Sequence, residues 1–131
     1  MEKTMKIKML FGAAGGAVSA LFGEPDAFLY ALLFCICADY ITGILAALYQ
    51  KNLNSQTGFR GIMKKIVILI LVSLSYRLGE TVHFPALRDV ICTFYIANES
   101  LSVLENATAM GIPYSEKLKT VLEQLKEKDK R

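Results

Sequence analysis

The residues best suited to chemistry lie in segment 95–106, where two carboxylates and two amides interrupt an apolar run. On a helix at 100° per residue, the polar side chains fall within about 120° of one another. This polar face consists of Asn98, Glu99, Ser102, Glu105 and Asn106. In a helix that crosses a bilayer, a central carboxylate costs roughly 2.5 to 3.5 kcal/mol, so it normally contacts protein or water. The pattern therefore predicts an assembly surface or a pore lining.

The composition indicates a membrane protein. Of the 131 residues, 53% are hydrophobic, above the 45 to 50% or so of soluble domains. The net charge is +3, but the basic residues lie at the ends and in one central segment, with no basic stripe interleaved with aromatics. We therefore expect no nucleic-acid partner. Cys35, Cys37 and Cys92 lie in apolar runs without zinc-ligand spacing and are interpreted as buried free thiols.

The hydropathy pattern predicts an all-α integral membrane fold forming one domain over residues 1–131. A helix needs about 20 apolar residues to cross a bilayer, and four segments approach this. The first resembles a signal peptide, but the turn that follows it lacks a cleavage pattern, so we expect it to be retained. The expected spans are about 9–23, 27–49, 66–84 and 86–112, followed by a cytoplasmic tail, 113–131.

The distribution of basic residues predicts the topology. With four spans and a cytoplasmic N-terminus, Arg77 and Arg88 are the two basic residues on the outer side. The other Lys and Arg residues then face the cytoplasm, as the positive-inside rule requires. Both termini are therefore expected in the cytoplasm.

Asp39 lies almost at the middle of the second expected span. It has two interpretations, a proton or ion site and a structural residue held by hydrogen bonds to neighbouring helices. Because the sequence offers no Lys or Arg at matching depth, the structural, assembly-directing role is favoured.

Small residues recur four apart in the first two spans, which lets helix backbones approach closely. Two neighbouring rows on the first helix favour oligomerisation, although packing within one subunit explains any single row equally well. The rows contain Gly12, Gly16 and Ala20; Gly15, Ser19 and Gly23; and, on the second helix, Gly43 and Ala47.

The central loop and the tail are expected in the cytoplasm. The loop, 52–65, ends in Lys64 and Lys65, which we expect to anchor at the lipid headgroups. In the tail, Ser115 can cap a short amphipathic helix. That helix is interpreted as an interfacial helix, a coiled-coil-like contact or a solubilising tail.

Four blocks together resemble the toxin-secretion and phage-lysis holin family of small membrane proteins. They are Ala38-Asp-Tyr-Ile-Thr-Gly-Ile-Leu-Ala-Ala47; the loop with Ser55, Gly58, Gly61, Lys64 and Lys65; Asn98-Glu99 to Glu105-Asn106; and Gly111-Ile-Pro-Tyr-Ser-Glu-Lys-Leu118. The resemblance implies a homo-oligomer in the bacterial cytoplasmic membrane that opens lesions for an endolysin or a toxin, without necessarily binding it. Residues 1–34 contribute least to the resemblance.

Two other functions remain open at this point. Asp39 and Glu99 are compatible with a small ion or proton channel or transporter, although the four spans contain no inverted repeat. A membrane partner that inhibits another protein without forming a pore is the third possibility. The sequence presents no nucleophile–base pair and no metal cluster, so we expect no enzymatic activity and no cofactor.

Overall fold

The computed structural model describes the backbone of residues 1–130 and the side chains up to Glu127, and this part of the chain is entirely helical apart from its turns. The all-α expectation is confirmed. The five helices are α1 (Glu2–Phe22), α2 (Ala27–Tyr49), α3 (Ser55–Thr81), α4 (Leu87–Ala109) and α5 (Glu116–Lys130).

Side-chain caps explain where three helices begin. The Asp26 carboxylate accepts a hydrogen bond from the Leu29 amide at 3.1 Å and starts α2 at the expected residue. Asn54 accepts from the Thr57 amide at 2.8 Å and starts α3. Ser115 accepts from the Leu118 amide at 3.3 Å, which confirms the cap expected for α5. Each cap satisfies an amide that lacks a partner within its helix.

The first and third helices are longer than expected. α3 begins at Ser55, not at residue 66, so most of the expected central loop is helical. α1 begins at Glu2, not near residue 9. Apolar periodicity detects only the apolar part of a helix. A cap such as Asn54 allows the helix to begin earlier, in polar sequence.

The turn between α3 and α4 requires a glycine at position 79. A Cβ atom on Gly79 would lie 2.7 Å from the carbonyl oxygen of Phe84. The Phe84 amide also donates to the Gly79 carbonyl at 2.8 Å, so the chain reverses tightly over the end of α3. α3 consequently ends at Thr81, three residues before the expected end of the third span.

α2, α3 and α4 enclose the core, with the most extensive packing between α2 and α4. Leu32 and Ile36 from α2 meet Val72 from α3 and Cys92 from α4. All three cysteines are free, but Cys92 alone among them is buried, whereas Cys37 is exposed on the isolated chain. The expectation of buried thiols is therefore correct for Cys92 and wrong for Cys37.

α1 lies at the margin of the bundle and buries none of its residues. Its contacts are at its C-terminal end, where the Ser73 hydroxyl of α3 donates to the Leu21 carbonyl at 2.8 Å. Among residues 1–130, α1 and α2 are the two helices both long and apolar enough to cross a membrane. The third and fourth spans remain predictions.

Candidate functional site

An ion-pair cluster joins the three core helices at mid-height. The Lys65 Nζ of α3 lies 2.6 Å from the Asp39 Oδ2 of α2 and 2.8 Å from the Glu99 Oε2 of α4. The Glu99 side chain is 3% exposed, and those of Lys65 and Asp39 are 14% and 15% exposed. We call these three residues the Lys65 cluster.

The formal charge of the Lys65 cluster is unbalanced, because one ammonium group faces two carboxylates. Charges removed from water are tolerated only when their partners compensate the lost hydration. One lysine serves both Asp39 and Glu99 at hydrogen-bonding distance, so removing it would leave the buried Glu99 and the largely buried Asp39 without a cation.

This arrangement corrects two expectations. The structure places a lysine at the depth of Asp39, which the sequence interpretation did not find. It also turns Lys65 into the bundle, so Lys65 is not the headgroup anchor we expected, whereas the adjacent Lys64 is exposed.

A sequence signal for the cluster existed, but the boundary of α3 concealed it. Asp39 and Glu99 lie ten residues before the ends of their helices, and Lys65 lies ten residues after the start of its own. At 1.5 Å per residue, each is about 15 Å from the same end of the bundle. With α3 assumed to begin at residue 66, Lys65 appeared to precede the helix.

Asn106 extends the cluster along α4. Its Nδ2 donates to the Asp39 Oδ1 at 3.0 Å and to the Thr42 Oγ1 at 2.9 Å. A Cβ atom on Gly43 would lie 3.7 Å from this Nδ2. Gly43 therefore belongs to the contact between α2 and α4 within the subunit.

The predicted polar face of α4 is divided between two environments. Glu99 and Asn106 face α2 and α3, whereas the exposed Glu105 lines a cleft between α4 and α5. The Ser102 hydroxyl donates to the Asn98 carbonyl of its own helix at 3.2 Å. The structure thus joins Asp39, Glu99 and Asn106 and leaves Glu105 apart.

A cavity of about 490 Å³ adjoins the cluster at the α2–α3 turn. Tyr40 enters the space above two glycines of α3, because Cβ atoms on Gly58 and Gly61 would each lie 3.7 Å from its side chain. Asp39, Lys65, Asn106 and Ala47 also line the cavity. This cavity adjoins the cluster beside Asp39.

The small-residue rows of α1 face open space over most of their length. Cβ atoms on Gly12, Gly15 and Gly16 would meet no other atom within 4 Å, and Ala20 is exposed. At the end of the second row, Ser19 is half-buried and Gly23 packs against the Tyr76 ring, which a Cβ atom would approach to 2.7 Å. The greater part of both rows is therefore available to another molecule.

Arg88 forms a second polar cluster at the opposite end of the bundle, and the sequence interpretation missed it. Its Nη1 donates to the Phe22 carbonyl at 2.8 Å and to the Glu24 carbonyl at 3.2 Å, and its Nη2 pairs with Asp26 and Asp89. The Arg88 side chain is 8% exposed. We call this arrangement the Arg88 clamp, because it ties the α1–α2 turn to the start of α4.

The Arg88 clamp affects the acid–base chemistry of Asp26. Partial burial raises the pKa of this carboxyl, but hydrogen bonds from the Leu29 amide and from Arg88, with the positive charge of Arg88, lower it more. The net pKa of Asp26 lies below its usual value. Asp26 and Asp89 are the residues from which the sequence could have indicated the Arg88 clamp. The sequence interpretation instead placed Arg88 on the outer side of the membrane and gave it no partner.

These features define a small all-helical protein with two strongly apolar helices and a charged cluster inside its bundle. Residues 16–127 match the Bacteriophage holin family, and the chain belongs to that family. Two apolar helices and this membership place the protein in the class of membrane proteins.

Relatives in bacteria and phages agree with the assignment. An uncharacterized protein of Listeria innocua is 44% identical over 124 residues, covering 93% of this chain and 86% of the relative. An uncharacterized 14.9 kDa protein of Clostridium perfringens is 39% identical over 124 residues, covering 93% and 94%. A protein of Bacillus phage phi105 named "probable holin" is 31% identical over 93 residues, covering 70% and 68%. No solved structure matches the chain.

Proposed function

We propose that this protein is a holin that oligomerises in the bacterial cytoplasmic membrane and opens lesions large enough to release a folded endolysin. Family membership supports the general assignment. The observation that carries the mechanism is the Lys65 cluster, because it hides the most polar part of α4 between α2 and α3.

In the proposed topology α1 to α4 cross the membrane and both termini lie in the cytoplasm. The Lys and Arg counts support this orientation, and they remain one-sided when Lys65 is removed from the count because it lies inside the bundle. The Arg88 clamp then lies near the outer surface and the Lys65 cluster nearer the cytoplasm.

The proposed mechanism begins with a closed subunit in which Lys65 compensates Asp39 and Glu99. In this state α4 presents little charge to the lipid. In a large assembly, α4 rotates so that Glu99 and Asn106 line water, and hydration replaces the incompletely balanced cluster. The gain from hydration grows with the number of subunits that share the opening, so opening is abrupt.

The test is co-expression with a cytoplasmic endolysin and measurement of the time of lysis. Glu99→Gln leaves one lysine facing one aspartate, so the closed cluster is neutral and the open state gains less from hydration. We expect lysis several-fold later than in the parent. Glu105→Gln is the matched control, because Glu105 is exposed already in the closed subunit, and its lysis time should change little.

Release of a folded cytoplasmic reporter enzyme distinguishes this function from an ion channel. A parent protein that dissipates the membrane potential but never releases the reporter would contradict the holin proposal. Unchanged lysis timing in Glu99→Gln would leave the holin function standing and refute the role of the cluster.

A further inference from the structure

The charges of α5 are ordered around its apolar stripe. Leu118, Val121, Leu122 and Leu125 occupy one side within about 100°. Lys117 and Lys126 lie about 80 to 100° to either side of this stripe, and the glutamates lie on the opposite side of the helix, at about 140 to 180°. Those glutamates are Glu116, Glu123 and Glu127.

The structure turns the charged side of α5 toward α4 and the apolar stripe away from it. α5 packs against α4, and a cleft of about 540 Å³ between them is lined by Glu123, Lys126 and Glu127 of α5 and by Leu101, Leu104, Glu105 and Thr108 of α4. Three side chains of the stripe are exposed instead, whereas Leu122 is half-buried. The exposed fractions are 47% for Leu118, 46% for Val121 and 38% for Leu125.

We propose that the apolar stripe of α5 binds the cytoplasmic leaflet of the membrane and that the exposed Lys117 at its border contacts anionic phospholipid headgroups. This inference rests on the membrane topology proposed above. α5 follows α4 after the short connection 110–115, so it begins at the surface where α4 leaves the bilayer. Ile112 within this connection is itself 52% exposed.

The arrangement of charge favours lipid over a second copy of α5. A lysine at the border of an apolar stripe can extend to a phosphate group while its alkyl chain covers apolar surface. A second copy of α5 joined along the stripe would offer Lys117 no carboxylate partner, because Glu116, Glu123 and Glu127 lie on the far side of the helix. The glutamates, on the far side, would be kept away from the headgroups.

A single-tryptophan experiment tests the inference, because the chain contains no tryptophan. V121W places the indole in the stripe, and T120W places it on the opposite side of α5, at an exposed position. Each full-length variant is reconstituted into vesicles of phosphatidylcholine with phosphatidylglycerol, with or without brominated acyl chains. We expect brominated lipid to quench V121W at least twofold more than T120W.

Charge dependence provides the second measurement. Lys117→Glu in the V121W background should reduce quenching in phosphatidylglycerol vesicles, and added salt should reduce quenching of V121W itself. In vesicles of phosphatidylcholine alone, the difference between V121W and its Lys117→Glu form should largely disappear.

The contradicting results are distinct. Equal quenching of V121W and T120W, in protein that resists alkaline carbonate extraction from the vesicles, would overturn the inference and leave the proposed membrane function intact. A V121W emission that depends on the protein-to-lipid ratio but not on bromination would assign the stripe to a second copy. Complete extraction by carbonate would overturn both proposals.

Discussion

Lys65 and Glu99 lie 34 residues apart in the chain, and the Lys65 Nζ is 2.8 Å from the Glu99 Oε2. With Asp39 on the other side of the same ammonium group, one lysine links all three helices of the core. Lys64 next to it is exposed. The two adjacent lysines therefore provide a matched pair for experiment.

Lys65→Met should destabilise the subunit strongly, because the buried Glu99 and the largely buried Asp39 lose their cation. Breaking a buried ion pair by removing one partner typically costs about 3 to 5 kcal/mol. The measurements are the thermal unfolding midpoint in detergent and the yield in membranes. Lys64→Met is the control and should change stability by no more than about 0.5 kcal/mol. Equal unfolding midpoints for the two variants would refute the role of the cluster.

Gly16→Leu should weaken oligomers without weakening the subunit. A Cβ atom at position 16 would meet no neighbouring helix within 4 Å, so we expect the subunit to fold as before, whereas the added side chain blocks close approach of a second helix. Cross-linking in membranes should show several-fold fewer oligomers, and the unfolding midpoint in detergent should stay the same.

Gly79→Ala should instead weaken the subunit without weakening the oligomers. Its Cβ atom would lie 2.7 Å from the Phe84 carbonyl oxygen, so the α3–α4 turn must shift. Such overpacking typically costs about 1 to 3 kcal/mol.

Normal cross-linked oligomers in Gly16→Leu would remove the α1 rows from the assembly mechanism.

Acidification should weaken the Arg88 clamp only at low pH. The pKa of Asp26 is lowered in the folded protein, so the stability from this pair is fully present above the unfolded pKa of about 3.9 and is lost as pH falls through the folded value. The parent should therefore lose more thermal stability than Asp26→Asn between pH 5 and pH 3, and little difference should develop between pH 7 and pH 5. A difference that develops above pH 5 would contradict the assignment.

Reporter fusions should establish the topology. Fusions after Arg131 and in the α2–α3 turn near Asn52 should report cytoplasm, and one near Pro25 should report the exterior. The expectation follows from the distribution of Lys and Arg. An exterior C-terminus would contradict the four-span topology, although it would not affect the helical fold.

The sequence predicted α2 to the residue because apolar composition and an Asp26 cap coincide at the same boundary. It failed for α3, where the apolar run begins at Ile66 but Asn54 caps the helix much earlier. Periodicity reports which residues avoid water, whereas helix ends depend on local hydrogen bonds that polar sequence can also provide.

The sequence identified most residues of the candidate site but not which of them pair with each other. Asp39, Glu99 and Asn106 were identified because polar side chains in apolar helices are costly. Their shared partner Lys65 was not, because its depth depends on the true start of α3. The Arg88 clamp was missed for another reason, since two of its acceptors are the backbone carbonyls of Phe22 and Glu24, which no side-chain pattern identifies.

The attachment of α1 at one end has a mechanical consequence. Its 21 residues form a rod about 31 Å long at 1.5 Å per residue. The Arg88 clamp and the packing of Gly23 on Tyr76 hold it near its final turn. A rotation of about 20° at that pivot would carry the far end through roughly 11 Å, about the diameter of one helix. A small change at the α1–α2 turn would therefore move the exposed glycines of α1 by about the width of a neighbouring helix.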